Sequence, residues 1–332
     1  MKLNLRTIVL FAVNALLLIA FAVCALTYHA YAHTLQAQYS AERYRGDNET
    51  PYSLVSLFRA PTNAMTYETI HNLRKGIESG LLDASMDASE DENMYTDSFC
   101  AVGTITVSSS KTKNAETTLY AIGGDFFTVH PLHLSSGSYI SESDLNRDLV
   151  VIDRELSWTL FGATDSTGLT LIVGGKDYII AGVVERNTDR FTQRADDTIS
   201  AIYMPFAAVY DYDTAVITSY EAIVPDPVEH FGREVIKKVS PGGVIVENTG
   251  RFGLERIADL VFSFGSRTID ANGIPFPSWE TAARLCEDHL ALLLVFMAVF
   301  LAFPLVCFVI VLVKGYKALR AKGKRMSERR FA

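Results

Sequence analysis

Two uncharged apolar runs constrain this chain more than any other feature. Thr7 to Tyr28 holds 22 residues without a charge, and Leu290 to Val313 holds 24 more, interrupted by Pro304. A hydrocarbon core about 30 Å thick is crossed by roughly 20 apolar residues, so both runs are long enough to span a bilayer. A proline inside a span is expected to kink it without ending it. The predicted organisation is a first span with a short leading segment over residues 1–28, a large middle region over 29–289, a second span over 290–313 and a basic tail over 314–332.

Charge sorts by these boundaries. Lys2 and Arg6 precede the first run, and Lys314, Lys317, Arg320, Lys322, Lys324, Arg325, Arg329 and Arg330 follow the second. With Glu328 the flanks carry a net charge of +9, whereas the 261 residues from His29 to His289 hold 20 basic and 37 acidic side chains, a net −17. Cationic flanks stay in the cytoplasm and a long acidic loop can still be translocated. Both termini are therefore expected on the cytoplasmic side of the cell membrane, with residues 29–289 outside it. Residues 1–32 also fit a secretory signal ending in the small-x-small site Ala30-Tyr31-Ala32. The apolar run is longer than the core of most such signals, which favours a retained anchor.

The tail cations Lys314, Lys317, Arg320, Lys322, Lys324 and Arg325 are the candidate contact residues. Near a membrane surface each attracts anionic headgroups by about 1 kcal/mol. A cytoplasmic protein is the other surface they could meet. Asn14 is the one strongly polar side chain within the apolar runs. It is expected either to bond another helix or to lie near the interface.

The middle region mixes two periods. His29 to Arg45 reads as a helical extension of the first span. Tyr67, Ile70, Leu73, Ile77 and Leu81 mark an amphipathic helix ending near Gly80. Asp83 to Asp97 holds six acidic residues without periodicity and reads as a solvated loop. Strands are predicted over Val102–Val107, Thr117–Ile122, Leu149–Ile152, Ile199–Met204, Ser219–Val224 and Gly243–Glu247. A hairpin is predicted where Leu169–Val173 and Tyr178–Val184 flank Gly174-Gly175-Lys176-Asp177, because paired glycines accept the positive φ of a tight turn. Helices are predicted over Arg154–Phe161, Val228–Val239 and Leu254–Phe264, the last leading through Pro275 and Pro277 into the second span. This order indicates an α+β domain, with two subdomains sharing one fold unit.

Catalytic patterns find little support. Gly174-Gly175-Lys176 fails the P-loop spacing, which needs Gly at Thr170 and Ser or Thr at Asp177. His230 and Glu234 sit four apart on a predicted helix, but one histidine cannot anchor a catalytic zinc, and a surface helix pair is expected. His130 and His133 have a spacing that can chelate metal, without a third ligand. The acidic run Asp83, Asp87, Glu90, Asp91, Glu92 and Asp97 lacks the EF-hand order, and no G-x-S-x-G elbow occurs. Cys24 and Cys307 lie in the spans; Cys100 and Cys286 could form a bridge that nothing in the sequence supports. No catalytic, cofactor or metal residues are assigned, the chain is not expected to be an enzyme, and no nucleic-acid partner is expected.

One stretch carries a resemblance. Gly124-Asp125-Phe126-Phe127, then Leu132-x-Leu134-x-x-Gly137, then Asp148 to Asp153, Leu160-Phe161-Gly162, Thr167 to Leu171 and Tyr178 to Val184 resemble, in that order, the first half of ABC-transporter permeases of the MacB/FtsX type. Ser138 departs from the family, which carries arginine there. The likeness is strongest between residues 119 and 206. Physically these positions read as a glycine at a helix end, a hairpin, and a glycine permitting close backbone approach.

The resemblance implies a MacB-like extracytoplasmic core domain that transmits motion. Its implied partners are a separate cytoplasmic ABC ATPase, a second permease subunit and membrane lipids, with the basic tail and the first residues meeting the ATPase. Permeases of this type normally carry two further spans, and this sequence stops at Ala332, where the segment leading to them would begin. An accessory half, a divergent two-span permease and a free-standing sensor are the forms left open. The function expected is a membrane subunit of an ABC-type export or mechanotransmission complex. The alternative is a membrane-anchored binding or scaffold protein without ATP-driven transport; a tethered hydrolase would have to use His230 or His133.

Overall fold

A computed structural model of the chain describes residues 5–86, 94–109, 114–196, 200–209, 215–228, 230–263 and 273–330, with backbone alone over 322–330. In chain order the elements are α1 (Leu5–Ala32), a 3-10 turn (Gln36–Tyr39), α2 (Ser40–Arg45), β1 (Tyr52–Phe58), α3 (Tyr67–Asp83), β2 (Thr96–Ser109) and β3 (Asn114–Gly124). There follow α4 (Phe126–Val129), β4 (His133–Gly137), β5 (Leu149–Asp153), α5 (Arg154–Phe161), β6 (Thr170–Val173) and β7 (Lys176–Glu185). The remainder is α6 (Arg190–Ala195), β8 (Ala201–Pro205), α7 (Phe206–Val209), β9 (Ile217–Pro225), α8 (Phe231–Val239), β10 (Val244–Glu247), α9 (Leu254–Ser263) and α10 (Ser278–Arg330). The chain divides into two compact units: Met1–Thr34 with Phe252–Ser266 and Cys286–Ala332, and Leu35–Arg251 with Arg267–Leu285.

The second unit is built on one ten-stranded mixed sheet in the order β10-β1-β9-β2-β3-β8-β5-β7-β4, with β6 pairing both β2 and β7. That double pairing closes β2-β3-β8-β5-β7-β6 into a ring. The α+β class is as expected, and the region expected to hold two subdomains is one compact unit on this single sheet. Alternate residues face opposite cores. Leu119, Ala121, Val150, Ile152, Ile202 and Met204 pack with the helix residues Ile70, Leu73, Ile77 and Leu156. Tyr120, Ile122, Val151 and Tyr203 pack instead with Phe126 and Phe127. Burial on both faces is why Leu149 to Ile152 is apolar without alternation.

The predicted Gly-Gly hairpin is present. Val173 pairs with Lys176, and both turn glycines have positive φ, +56° and +81°. Other elements depart from expectation. The helix through residues 29–45 breaks after Ala32, where the His33 ring and the Thr34 hydroxyl bond the last-turn carbonyls of His29 and Ala30 at 2.8 and 2.9 Å. Those bonds satisfy acceptors that another helical turn would have used. β2 begins at Thr96, inside the predicted acidic loop. β1 was not predicted, because its Tyr52-Ser53-Leu54-Val55-Ser56-Leu57-Phe58 run is buried throughout and has neither period.

α3 starts at a Thr66 capping box and packs on α8 through glycine. A Cβ at Gly76 would lie 2.1 Å from Val239 Cγ2, and one at Gly80 would lie 2.8 Å from Val235 Cγ2.

The first unit holds α1 and α10 from Cys286 onward, and both helices are long and apolar enough to cross a membrane. Their large apolar side chains are exposed over most of their length, as lipid-facing helices require. Pro304 lies inside α10 without ending it. Asn14 Nδ2 donates to the Leu10 carbonyl at 2.8 Å, so this side chain bonds its own helix.

Replacing Gly76 by valine is expected to destabilise the detergent-solubilised protein by about 1–3 kcal/mol through overpacking. Adding Val239→Ala should restore part of the loss, as read by thermal or urea unfolding.

Candidate functional site

A chain of buried polar side chains crosses the sheet unit and ends on the first turns of α10. It begins at Glu221, in the middle of β9, the strand that lies between β1 and β2. Water cannot reach this carboxylate, so the neighbouring elements supply its partners. His130, just after α4, brings Nε2 against Glu221 Oε2, and Ser56 of β1 donates to Oε1 at 2.6 Å. Asn248, beyond β10, donates Nδ2 to Ser56 Oγ at 2.7 Å. Arg251 Nη1 then donates to Asn248 Oδ1 at 3.0 Å.

Arg251 makes the decisive contact. Its Nη1 and Nη2 meet the two oxygens of Glu280, in the first turn of α10, at 2.7 and 3.0 Å. Arg284, one turn further, donates Nε to Glu280 Oε1 at 2.6 Å. Glu280 is 1% exposed. One carboxylate thus sits between two guanidinium groups away from water. The Arg284 guanidinium also lies 3.8 Å from the centroid of the Phe276 ring, a cation–π contact. Beside Glu280, Trp279 packs its indole on His130 and Phe126, with centroids 4.4 and 5.8 Å apart. The start of α10 is thereby held by charge on one side and by aromatic packing on the other.

The residues singled out in the sequence fall elsewhere. Lys314, Lys317 and Arg320 are exposed on α10, while the side chains of Lys322, Lys324 and Arg325 lie outside the described residues. His130 and His133 do not act as a pair: His130 is buried against Glu221, whereas His133 begins β4, exposed and opposite Glu185. His230 and Glu234 are not a side-chain pair either. His230 Nδ1 lies 2.6 Å from Glu247 Oε2, and Glu234 lies 3.6 Å from Lys237 Nζ. Of the acidic run, Asp87, Glu90, Asp91 and Glu92 are outside the described residues. Asp97 is buried and bound by Arg74 of α3 at 2.7 and 2.9 Å, a partner that draws it out of solvent. Among the described residues no group of three His, Cys, Asp or Glu could hold a metal. Cys100 and Cys286 do not form a disulfide, and burial pushes the Cys100 thiol well up.

The residues that carried the resemblance build the frame around this chain of contacts. Gly162 ends α5 in the left-handed conformation. Gly182 admits the backbone of the neighbouring turn, since a Cβ there would lie 2.3 Å from the Ser138 carbonyl. Asp153 caps α5 with Oδ1 on Leu156 N and ties β8 with Oδ2 on Ala201 N, both at 2.8 Å. Burial pushes its carboxyl up to about 7, against those two hydrogen bonds and the Arg186 guanidinium.

Apolar helices with exposed faces and an α+β domain between them in sequence define a membrane-anchored domain protein. Residues 49–241, more than half of the chain, match the MacB-like periplasmic core domain, and the chain belongs to that family. It is a membrane protein with an extracytoplasmic segment.

Among curated relatives, the macrolide export ATP-binding/permease protein MacB of Neisseria gonorrhoeae is 28% identical over 93 residues, covering 27% of this chain and 14% of that protein. The corresponding MacB 2 of Aeromonas hydrophila is 31% identical over 101 residues, covering 30% and 15%. The match therefore spans a small part of each relative's length. Among solved structures, the extracellular domain of the noncanonic ABC-type transporter YknZ from Gram-positive bacteria aligns with a TM-score of 0.41 at 16% identity, over 58% of this chain and 98% of that one. The periplasmic region of MacB from Actinobacillus actinomycetemcomitans aligns with a TM-score of 0.40 at 18% identity, over 68% and 96%.

The sequence did not single out Glu221, Asn248, Arg251 or Glu280. The available signal was a lone charge inside an otherwise apolar strand at Glu221; the others become visible only once the sheet brings them together.

Two measurements test this site. Glu280→Gln should cost roughly 3–5 kcal/mol of stability by leaving guanidinium groups buried without their anion. The pair Arg251→Met with Glu280→Leu should cost less than the two single changes added together, as a double-mutant unfolding cycle would read. For Asp153, the raised folded value means that its contribution to stability is full below the ordinary carboxyl value of 3.8 and is lost as pH rises through about 7. The stability advantage of the parent over Asp153→Asn should therefore shrink between pH 4 and about 7, followed by denaturant unfolding across that range.

Proposed function

We propose that the chain is a membrane subunit of an ABC-type export or mechanotransmission complex, in which a separate cytoplasmic ATPase works on the extracytoplasmic domain through the membrane helices. The carrying observation is α10. It is one helix from Ser278 to Arg330, beginning among the buried ion pairs of Glu280 and ending in the basic segment. A hydrogen-bonded helix keeps its rise per residue, so a displacement applied near Lys314, Lys317 and Arg320 reaches Glu280 and Trp279. There the polar chain through Arg251, Asn248, Ser56 and Glu221 gives it a path into the middle strands of the sheet.

Residues 1–332 contain no P-loop, and in this reading a separate ATPase supplies ATP hydrolysis. The curated relatives combine ATP-binding and permease in their names, which supports a partner of the same class here. A second permease subunit follows from the need of a dimeric ATPase for two docking surfaces. Both termini lie in the cytoplasm in this reading, and anionic lipid headgroups share the tail cations with the ATPase.

Mild-detergent extraction of the tagged full-length chain from its native membranes, followed by mass spectrometry, tests the proposal. An ABC ATPase and a second permease are expected to co-purify. Changing Lys314, Lys317 and Arg320 to glutamate should release the ATPase while leaving the chain in the membrane. Recovery of envelope proteins alone would instead make the domain a membrane-anchored binding or scaffold module.

A further inference from the structure

α9 belongs to the same compact unit as the two spanning helices, and its residues divide cleanly around the helix. Leu254, Ile257, Ala258, Leu260, Val261 and Phe262 occupy one continuous arc, and Glu255, Arg256, Asp259 and Ser263 occupy the rest. Only part of the apolar arc is covered by protein. Ile257 is fully buried, and Ala258, Leu260 and Val261 are half-buried. Leu254 is 58% exposed and Phe262 90% exposed. Fully covering such side chains is worth about 1.5–3 kcal/mol each, and in water that stabilisation is forgone.

The level of α9 along the apolar helices follows from contacts at its start. Phe252, two residues ahead of the helix, accepts a hydrogen bond on its carbonyl from the Tyr28 hydroxyl at 3.0 Å. Tyr28 closes the first uncharged run. On the second spanning helix, His289 immediately precedes the uncharged run. Its ring meets Tyr31 edge-on with centroids 6.4 Å apart, and Cys286 Sγ lies 3.5 Å from the Tyr31 carbonyl. These contacts bring the same ends of the two runs to one level and place tyrosines there, as a membrane–water boundary favours. α9 starts at that level.

We propose that α9 lies in the membrane interface at the level of Tyr28 and His289, with Phe262 and Leu254 immersed at the boundary between headgroups and acyl chains. Its polar face holds Glu255, Asp259 and a single cation, Arg256. The attraction is therefore apolar, and zwitterionic phospholipid is sufficient. This inference does not depend on the ATPase reading, because it concerns the chain and lipid alone.

The full-length chain reconstituted in phosphatidylcholine vesicles gives the test. Phe262→Cys and, for comparison, Asp259→Cys are labelled with an NBD fluorophore, and the parent chain labelled in parallel corrects for its own thiols. A probe at position 262 should be quenched severalfold more strongly by shallow doxyl-phosphatidylcholine than by aqueous iodide, and a probe at 259 should show the reverse. Leu254→Cys should follow position 262. Equal iodide quenching at 262 and 259 would place the face in water and overturn the proposal. Protection of position 262 from both quenchers would mean that protein covers it, and would overturn the proposal equally.

Discussion

Moving a carboxylate from water into a protein interior costs several kcal/mol unless charge and hydrogen bonds replace its hydration. Glu280 receives both, from Arg251 at the end of the sheet domain and from Arg284 on its own helix. The arrangement fixes more than one side chain. Arg251 reaches Glu280 from the segment after β10, and that segment is tied to β1 by Asn248 Nδ2 on Ser56 Oγ, by Asn248 N on the Leu54 carbonyl and by Leu54 N on Thr249 Oγ1. Strand order, helix start and ion pair are therefore linked through one run of buried polar contacts.

Much of the fold was legible because local chemistry and long-range packing agree. The Gly174-Gly175 turn, the α5 stretch ending at Gly162 and the amphipathic face of α3 are each set within a few residues. The two long apolar helices were clearer still, since each leaves more than 20 consecutive residues uncharged. What escaped the sequence was set by neighbours. β1 carries no period because it is buried on both faces, and the helix after the first span breaks at His33 and Thr34 through side-chain bonds that its composition does not announce.

The candidate site divides in the same way. The tail cations were visible as a block, whereas the buried chain of contacts ending at Arg284 was not, because directly bonded members such as Ser56 and Asn248 lie 192 positions apart and each looks ordinary alone. His130 shows the difficulty. Spacing linked it with His133, while the sheet gives it to Glu221 and lays Trp279 against its ring. Histidine spacing carries information only where the backbone between is regular, and Pro131 and Leu132 follow the end of α4.

Strand order also governs when the domain can form. β1 pairs with β9 and β10, with Phe58 opposite Ser219 and Val244, so the earliest strand has no neighbour until the last ones exist. Closing loops of that length is slow compared with forming local helices and hairpins. During synthesis, α1 can be in the bilayer while β1 waits, unpaired and apolar, for nearly the whole domain to follow it across. The interval between those events is when this protein is most open to aggregation. The pairing of β1 therefore waits on the chain up to Glu247, whatever the fate of either apolar helix.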